Sequence, residues 1–526
     1  MTEPAATPQP KGPSLNRSTS IVGGMTLLSR VLGFVREIML ATAFGAGAAM
    51  DAFLVALQIP NFGRRMFAEG AFSQAFVPVF TETKTSKGHE ASREMVAVVM
   101  GTLGGVLSLI TLLGCLAAPV LVWMFASGFA SDAGKAELAA ELLRWTFPYL
   151  MFISLTSMAG GVLNAYGRFA LPAFTPVILN LCLIASAFIG DGGVHVLAYA
   201  VFVAGVLQFA VQLPALARLK LLPRPRWAWG DGRVRRILKL MVPVLIGSSI
   251  AQISLLLNSN LSTHFGDGSV SWLYYANRLM EFPLGIFSIA VGTAILPALA
   301  AQHALADTTR FSATLDWALR AILIIGLPAA FGMVLAAGPL VASVYGHGRF
   351  NAHDVQMTTW ALWAYGAGFM GFSLVKVLVP GFYARQETRL PVRYAITGLI
   401  VGMTFSLALF VVHRASGIEG AHVGLAISTS LTAWVNASLL FRRLRRDRIY
   451  LPGAGWGRFA LKVALATLAM STVIALLHVP IADWLALGPL ARGSRLLMLI
   501  AAAMAAYFGV LLALGVRPRD LKPQRA

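Results

Sequence analysis

IVGGMTLLSRVLGFVREIMLATAF, residues 21–44, is apolar enough to lie in a bilayer, yet it holds Arg30, Arg36 and Glu37. About 20 apolar residues cross the hydrocarbon core, and this stretch has the length. A charge at membrane depth costs about 2.5–3.5 kcal/mol on insertion scales. The stretch therefore reads as a transmembrane helix whose charges face protein or water. Arg64 and Arg65 follow in the next apolar stretch, and Arg278 lies in another far downstream. Five arginines so placed imply a shared internal cavity, and the natural ligand of such a cavity is an anion.

The rest of the chain supports a polytopic membrane protein. Hydrophobic residues make up 57% and charged residues 12%, against about 25% charged in soluble domains. Fourteen apolar stretches are candidate spans, all of them helical. The net charge of +20 invites a nucleic-acid partner, but its distribution argues against one. Basic residues fill alternate loops (Lys84, Lys87 and Arg93; Arg218 to Lys239; Arg442 to Arg448; Arg517 to Arg525), while residues 44–50, 190–194 and 265–269 are nearly free of Lys and Arg. That alternation is the positive-inside pattern, which places both termini in the cytoplasm. Residues 1–18 are polar and Pro-rich and are expected to form a disordered cytoplasmic tail. Cys115 and Cys182 sit in apolar runs as small packing residues, and no disulfide or metal motif is available from them.

An internal repeat sets the organisation. Phe44-Gly-Ala-Gly47 recurs as Phe265-Gly-Asp-Gly268, Tyr166-Gly-Arg168 as Tyr383-Ala-Arg385, and Gly70-Ala-Phe72-Ser73 as Gly285-Ile-Phe287-Ser288. Matched loops fall on the same side of the membrane, so the repeat is parallel, with six spans per half. The expected lobes are residues 19–235 and 236–445, followed at 446–526 by two more spans and a basic tail. Cargo in such duplicated transporters binds between the halves and access alternates.

The charged residues fall into a constellation. On the first span Ser29 and Arg36 share a helical face, as do Arg30 and Glu37. The second runs from Asp51 through Pro60, Asn61, Arg64 and Arg65 to Glu69, with Pro60 implying a bend. The eighth offers Ser271, Asn277, Arg278 and Glu281, and the tenth Lys376. Arginine is suited to an oxyanion because its planar fork stays charged and binds bidentately. Asp51, Glu69 and Glu281 are expected to orient unliganded arginines. The alternative is that each arginine only pairs with a nearby acid and stabilises a bent helix. Ser248, Gln252, Ser254, Asn258, Ser259 and Ser262 stripe the seventh span, as lumen lining or as interhelical hydrogen-bonding groups.

At these residues the chain resembles the MurJ (MviN) lipid II flippase family of the multidrug/oligosaccharidyl-lipid/polysaccharide exporter superfamily. The likeness rests on Ser29 to Glu37, Phe44-Gly-Ala-Gly47, Asp51-Ala-Phe, Pro60-Asn61, Arg64 through Pro78, Ser269 through Pro283 and Lys376 through Arg385. It implies fourteen spans, two six-helix lobes plus two C-terminal helices around a central cationic cavity, and lipid II as cargo moved across the bacterial inner membrane. By the same resemblance Arg30, Arg36, Arg64 and Arg278 match the family's cavity arginines, and Asp51, Asn61, Ser271 and Glu281 match further functional positions. Ser29, Arg65, Glu69 and Lys376 complete the expected cavity. The family carries an acid immediately before Arg278; Asn277 stands there in this chain, which makes the cavity more positive. Some relatives hold sodium with acidic ligands, but the seventh span here has no carboxylate, so no cofactor or ion is expected beyond the membrane potential. Partners implied are lipid II and membrane lipids, with room for cell-wall synthesis or division proteins. The rival within the fold is an exporter of another diphosphate-linked oligosaccharide lipid. A membrane glycosyltransferase or phosphatase would need carboxylates or histidines in substantial loops, and these loops are short.

Overall fold

The structure is a computed structural model and describes residues 15–65, 72–285, 289–416 and 420–516. All regular elements among these residues are helices. Nine of them are long and apolar enough to cross a membrane: Ser73–Leu116, Ala133–Ala165 with its bend at Pro148, His195–Arg218, Thr308–Leu335, Ala352–Tyr383, Arg389–His413, Val423–Arg446, Trp456–Leu476 and Pro489–Ala513. The other expected spans are short or charge-bearing. Ala48–Arg64 and Ala170–Ser186 have 17 residues each, and the expected eighth span is divided between Ser269–Pro283 and Ile289–Ala304, of 15 and 16 residues. Leu15–Phe44 contains Arg30, Arg36 and Glu37, and Gly232–Ser262 opens on a basic run. The first helix begins at Leu15, four residues inside the expected tail, whose residues 1–14 lie outside the described chain.

The chain forms two compact units. One contains the residues up to Leu40 and Ala52–Ile253; the other contains Ala41–Asp51 and Ser254 onward. The boundary expected at 235/236 falls within the first unit, and the short segment Ala41–Asp51 belongs to the second. In the first unit, Phe72, Phe76 and Phe80 recur every fourth residue and stack with ring centroids 5.1 and 5.4 Å apart. They pack against Met95, Met158, Leu163, Leu216 and Ile237. In the second unit, Leu315, Leu319, Val377, Phe382, Leu440 and Leu444 form the main core. The last two long helices pack through Val463, Met470, Leu499, Ala503 and Tyr507 around Ile324.

Prolines bend several helices, and each bend frees a carbonyl four residues earlier. The groups freed at Pro60, Pro176 and Pro328 find hydroxyl donors. Pro60 has no N–H to give Ala56, whose carbonyl accepts instead from the buried Thr146 hydroxyl at 2.7 Å. Pro176 frees the Pro172 carbonyl, taken by Thr175 Oγ1 at 2.8 Å. Pro328 frees Ile324, taken by Tyr507 Oη at 2.6 Å across to the last helix. Pro380 frees Lys376, against whose carbonyl Gly292 packs so closely that an added Cβ would sit 2.4 Å away. Inside a bilayer no water replaces such a donor, so these arrangements decide which prolines are tolerated.

Candidate functional site

In the first unit the site residues lie on the first two helices. Arg36 is half-buried; its Nη1 donates to Asn180 Oδ1 at 2.9 Å, and its Nη2 pairs with the buried carboxylate of Glu37. Asn180 sits on Ala170–Ser186 and donates its Nδ2 to the Ser29 carbonyl at 3.0 Å. It thus holds the Arg36 guanidinium and the backbone of the preceding turns together. The seven-residue spacing grouped Arg30 with Glu37, but the pair that forms is Arg36 with Glu37. Arg30 is exposed and has no hydrogen-bond or ion-pair partner among the described residues.

On the second helix the Pro60 bend precedes Asn61 by one residue. Asn61 Oδ1 accepts from Arg64 Nε at 3.1 Å. Arg65 is exposed. Glu69 lies outside the described residues.

In the second unit the carboxylate of Asp51 is fully buried. It accepts from Gly268 N at 2.8 Å, Ser271 N at 2.9 Å and Ser271 Oγ at 2.6 Å. These donors open the helix Ser269–Pro283, so Asp51 acts as its N-cap from a distant part of the chain, where negative charge also suits the helix dipole. Gly268 adopts φ 90°, a left-handed conformation that glycine reaches without strain. Asp51, expected to orient arginines, anchors a helix N-terminus, with Ser271 as part of the same cap. Nearby, Arg349 N donates to the Thr42 carbonyl at 3.0 Å, which fastens the end of the first helix to the turn at Gly348. These bonds explain why Ala41–Asp51 groups with the second unit.

Farther along that helix, Arg278 Nη1 pairs with Glu281 Oε2 at 2.9 Å, and its guanidinium lies 4.9 Å from the Tyr274 ring centre. Asn277 Nδ2 donates to Glu281 Oε1 at 3.1 Å, so the residue that replaces the expected acid helps hold the carboxylate. Both partners are partly open, with side-chain exposures of 34% for Arg278 and 46% for Glu281. Lys376 is exposed. Along the polar stripe, Asn258 Nδ2 reaches Thr429 Oγ1 at 3.4 Å, an interhelical contact; Ser248, Gln252 and Ser254 are outside the described side chains.

Sequence reasoning missed Asn180, Thr146 and the role of Asp51. Asn180 had a signal, as the one polar residue between Val177 and Leu183 in an apolar run apart from Cys182. Chemically, the arrangement offers guanidinium groups that are oriented by amides and carboxylates. Such oriented forks suit a phosphate oxyanion.

Comparison with known proteins fits this chemistry. The family model described as lipid II flippase MurJ matches residues 40–492. The chain is 41% identical over 519 residues to a probable lipid II flippase MurJ of Vibrio cholerae serotype O1, covering 97% of this chain and 98% of that protein. It is 42% identical over 514 residues to the lipid II flippase MurJ of Burkholderia cenocepacia, covering 96% and 98%. Among solved structures, a lipid II flippase MurJ in an inward closed conformation aligns with TM-score 0.79 at 24% identity over 95% of this chain and 99% of that one. An inward-facing multidrug resistance MATE transporter of the MOP superfamily aligns with TM-score 0.61 at 15% identity, over 82% and 98%. These two likenesses establish the fold.

Proposed function

The chain belongs to the lipid II flippase MurJ family, and from that membership we propose how its residues carry the cargo. It is a lipid II flippase of the MOP superfamily, serving peptidoglycan synthesis as a multi-pass membrane protein. Lipid II carries a diphosphate between its polyprenyl tail and its sugar–peptide headgroup. Arg30, Arg36 and Arg64 in the first unit and Arg278 in the second each offer guanidinium donors to that diphosphate as the headgroup crosses. Arg30, without a partner among the described residues, makes the first contact. Arg36 stays aimed by Asn180 and Glu37. Arg278 exchanges Glu281 for phosphate, and Asn277 keeps the displaced carboxylate nearby. Ser29, Arg65, Glu69 and Lys376 contribute to the polar path, whereas Asp51, Ser271 and Asn61 hold the helices and side chains that form it.

The headgroup passes from the cytoplasmic to the outer side of the inner membrane by alternating access, with both chain termini cytoplasmic. A potential negative inside favours outward movement of the anion and inward return of unliganded arginines, with about 2.3 kcal/mol per charge per 100 mV. The near-full-length identity to lipid II flippases carries this reading; the oriented arginines give it a chemistry.

The test uses cells depleted of their own flippase and complemented with this chain. Growth and outer-leaflet lipid II should be restored by the wild type and lost in both Arg30→Ala and Arg278→Ala at normal expression. Full activity in both variants would make the arginines structural. Failure of the well-expressed wild type would move the cargo to another diphosphate-linked lipid.

A further inference from the structure

Residues 221–228, between the helices Leu213–Arg218 and Gly232–Ser262, have no regular structure, yet they are firmly seated in the first unit. Leu221 is fully buried. Arg226 N donates to the Ala97 carbonyl at 2.9 Å and Ala228 N to Thr102 Oγ1 at 3.1 Å. The segment is thereby strapped across Ser73–Leu116 at two glycines. A Cβ at Gly101 would lie 2.4 Å from the Arg226 carbonyl oxygen, and one at Gly105 would lie 2.5 Å from the Trp227 ring. The glycines form a notch that a side chain would fill.

The strap then does something unusual for a loop in water. Trp227 and Trp229 stack with ring centroids 6.2 Å apart and planes within 16°, yet remain 61% and 50% exposed. Neither indole N–H has a partner among the described residues. A solvated loop gains nothing from an exposed indole pair, whereas the membrane interface favours it, since the ring is apolar and the N–H wet.

The helix beneath supplies the height. Gly101, Gly105, Leu109, Leu112 and Leu116 recur at helical spacing along one face. The three leucines are exposed by 57%, 58% and 72%, as a lipid-facing stripe should be. The strap covers the end of that stripe. At about 1.5 Å per residue, Trp227 over Gly105 lies roughly 6 Å along the axis from Leu109, the first exposed leucine of the stripe. Charge lies on the far side of the indoles. Lys220, Arg224, Arg226, Arg235 and Lys239 are exposed and have no acidic partner among the described residues. The acids beside the segment are already engaged: Asp231 by Arg233 through bonds of 2.7, 2.8 and 3.0 Å, Glu94 by Arg233 at 3.1 Å and Glu82 by Arg236 at 2.8 Å.

We infer that residues 220–239 form an interfacial strap that binds anionic phospholipids of the bilayer. The stacked indoles sit at the acyl–headgroup boundary, and Arg224 and Arg226 hold the phosphodiesters. Continuity with the leucine stripe and the unneutralised basic side chains select a lipid surface over a protein partner, and the binding is independent of the cargo.

The full-length protein in neutral detergent is titrated with phosphatidylglycerol and, separately, phosphatidylcholine, and retained lipid is counted by native mass spectrometry. A basic residue near an anionic surface contributes enough that R224A/R226A should weaken phosphatidylglycerol retention about thirtyfold. Phosphatidylcholine retention should be unchanged, and R224K/R226K should restore the preference. W227A/W229A should weaken retention of both lipids. Wild-type phosphatidylglycerol retention in R224A/R226A overturns the inference. So does an equal loss for phosphatidylcholine in that variant, a failure of the lysine pair to restore it, or an unchanged W227A/W229A.

Discussion

Thr146→Val removes one hydroxyl and keeps the shape of the side chain, and its effect should depend on a residue in another helix. Interhelical hydrogen bonds in membrane proteins average about 0.6 kcal/mol and reach about 1.7, because a group that loses one partner usually finds another. The Ala56 carbonyl is poorly placed to do so. Its helical donor is absent at Pro60, Ala56 is fully buried, and Thr146 Oγ1 at 2.7 Å supplies the bond. An orphaned buried acceptor costs about 1–3 kcal/mol, so Thr146→Val should fall at the upper end of the membrane range, about 1.5 kcal/mol. In a Pro60→Ala background the residue-60 N–H returns to the Ala56 carbonyl. The Thr146 hydroxyl can then turn to the Leu143 carbonyl, now 3.4 Å away, and its removal should cost about 0.5 kcal/mol or less. Unfolding of the four proteins in a denaturing-detergent titration gives the coupling directly. Equal costs in the two backgrounds, within the error of about 0.5 kcal/mol expected for independent sites, would refute the argument that the hydroxyl substitutes for the missing amide.

Asp51→Ala should lower stability by about 2–3 kcal/mol, since two backbone N–H groups and a hydroxyl lose a charged acceptor; Asp51→Asn should lose less, and detergent unfolding of both tests the capping role. Asn180→Ala should reduce outer-leaflet lipid II severalfold at normal expression, and adding Arg36→Ala should lower it little further; fully additive losses would mean that Asn180 does not act through Arg36. The loop residue Asp231 titrates below the usual carboxylate range, chiefly because the Arg233 guanidinium hydrogen-bonds to it. A carboxyl more acidic when folded contributes stability above its unfolded pKa of about 3.9 and loses it as pH falls through that value toward its lower folded one. Arg233→Ala should therefore destabilise at pH 6, with the deficit shrinking as pH falls below about 3.9 toward the lower folded pKa, read as thermal unfolding across that window; a constant offset at all pH values would count against the ion pair.

The membrane architecture was legible in the sequence because charge is so costly in an apolar run that every exception is visible. Arg30, Arg36, Arg64 and Arg278 stood out for that reason, and the pairing of Arg278 with Glu281 follows from three-residue spacing. Asp51 stood out too, but its purpose did not. Its acceptors serve residues 217 and 220 positions away, and nothing local distinguishes a cap for a remote helix from a partner for a nearby arginine. The same separation hid Thr146, which bonds 90 residues back. A proline announces that a carbonyl is freed, but only the packed structure tells which neighbouring hydroxyl takes it. Adjacent opposite charges suggest that Arg36 and Glu37 compensate each other, but helical face-sharing does not predict their direct contact. Face-sharing arguments treat side chains as fixed at their helical angle, whereas a guanidinium on three methylenes can fold back onto the adjacent residue.

The bent helices also constrain how this chain can change over generations. A proline whose freed carbonyl is served by a hydroxyl elsewhere is harmless only while that hydroxyl is present, and the hydroxyl is dispensable once the proline is gone. Pro60 with Thr146 and Pro328 with Tyr507 are therefore linked substitutions, each tolerated in one order and harmful in the other. Descendants should lose the proline first and the hydroxyl afterwards, and acquire them in the reverse sequence. Across relatives the two positions of each pair should vary together although nearly a hundred residues or more separate them, leaving a historical trace of a single hydrogen bond.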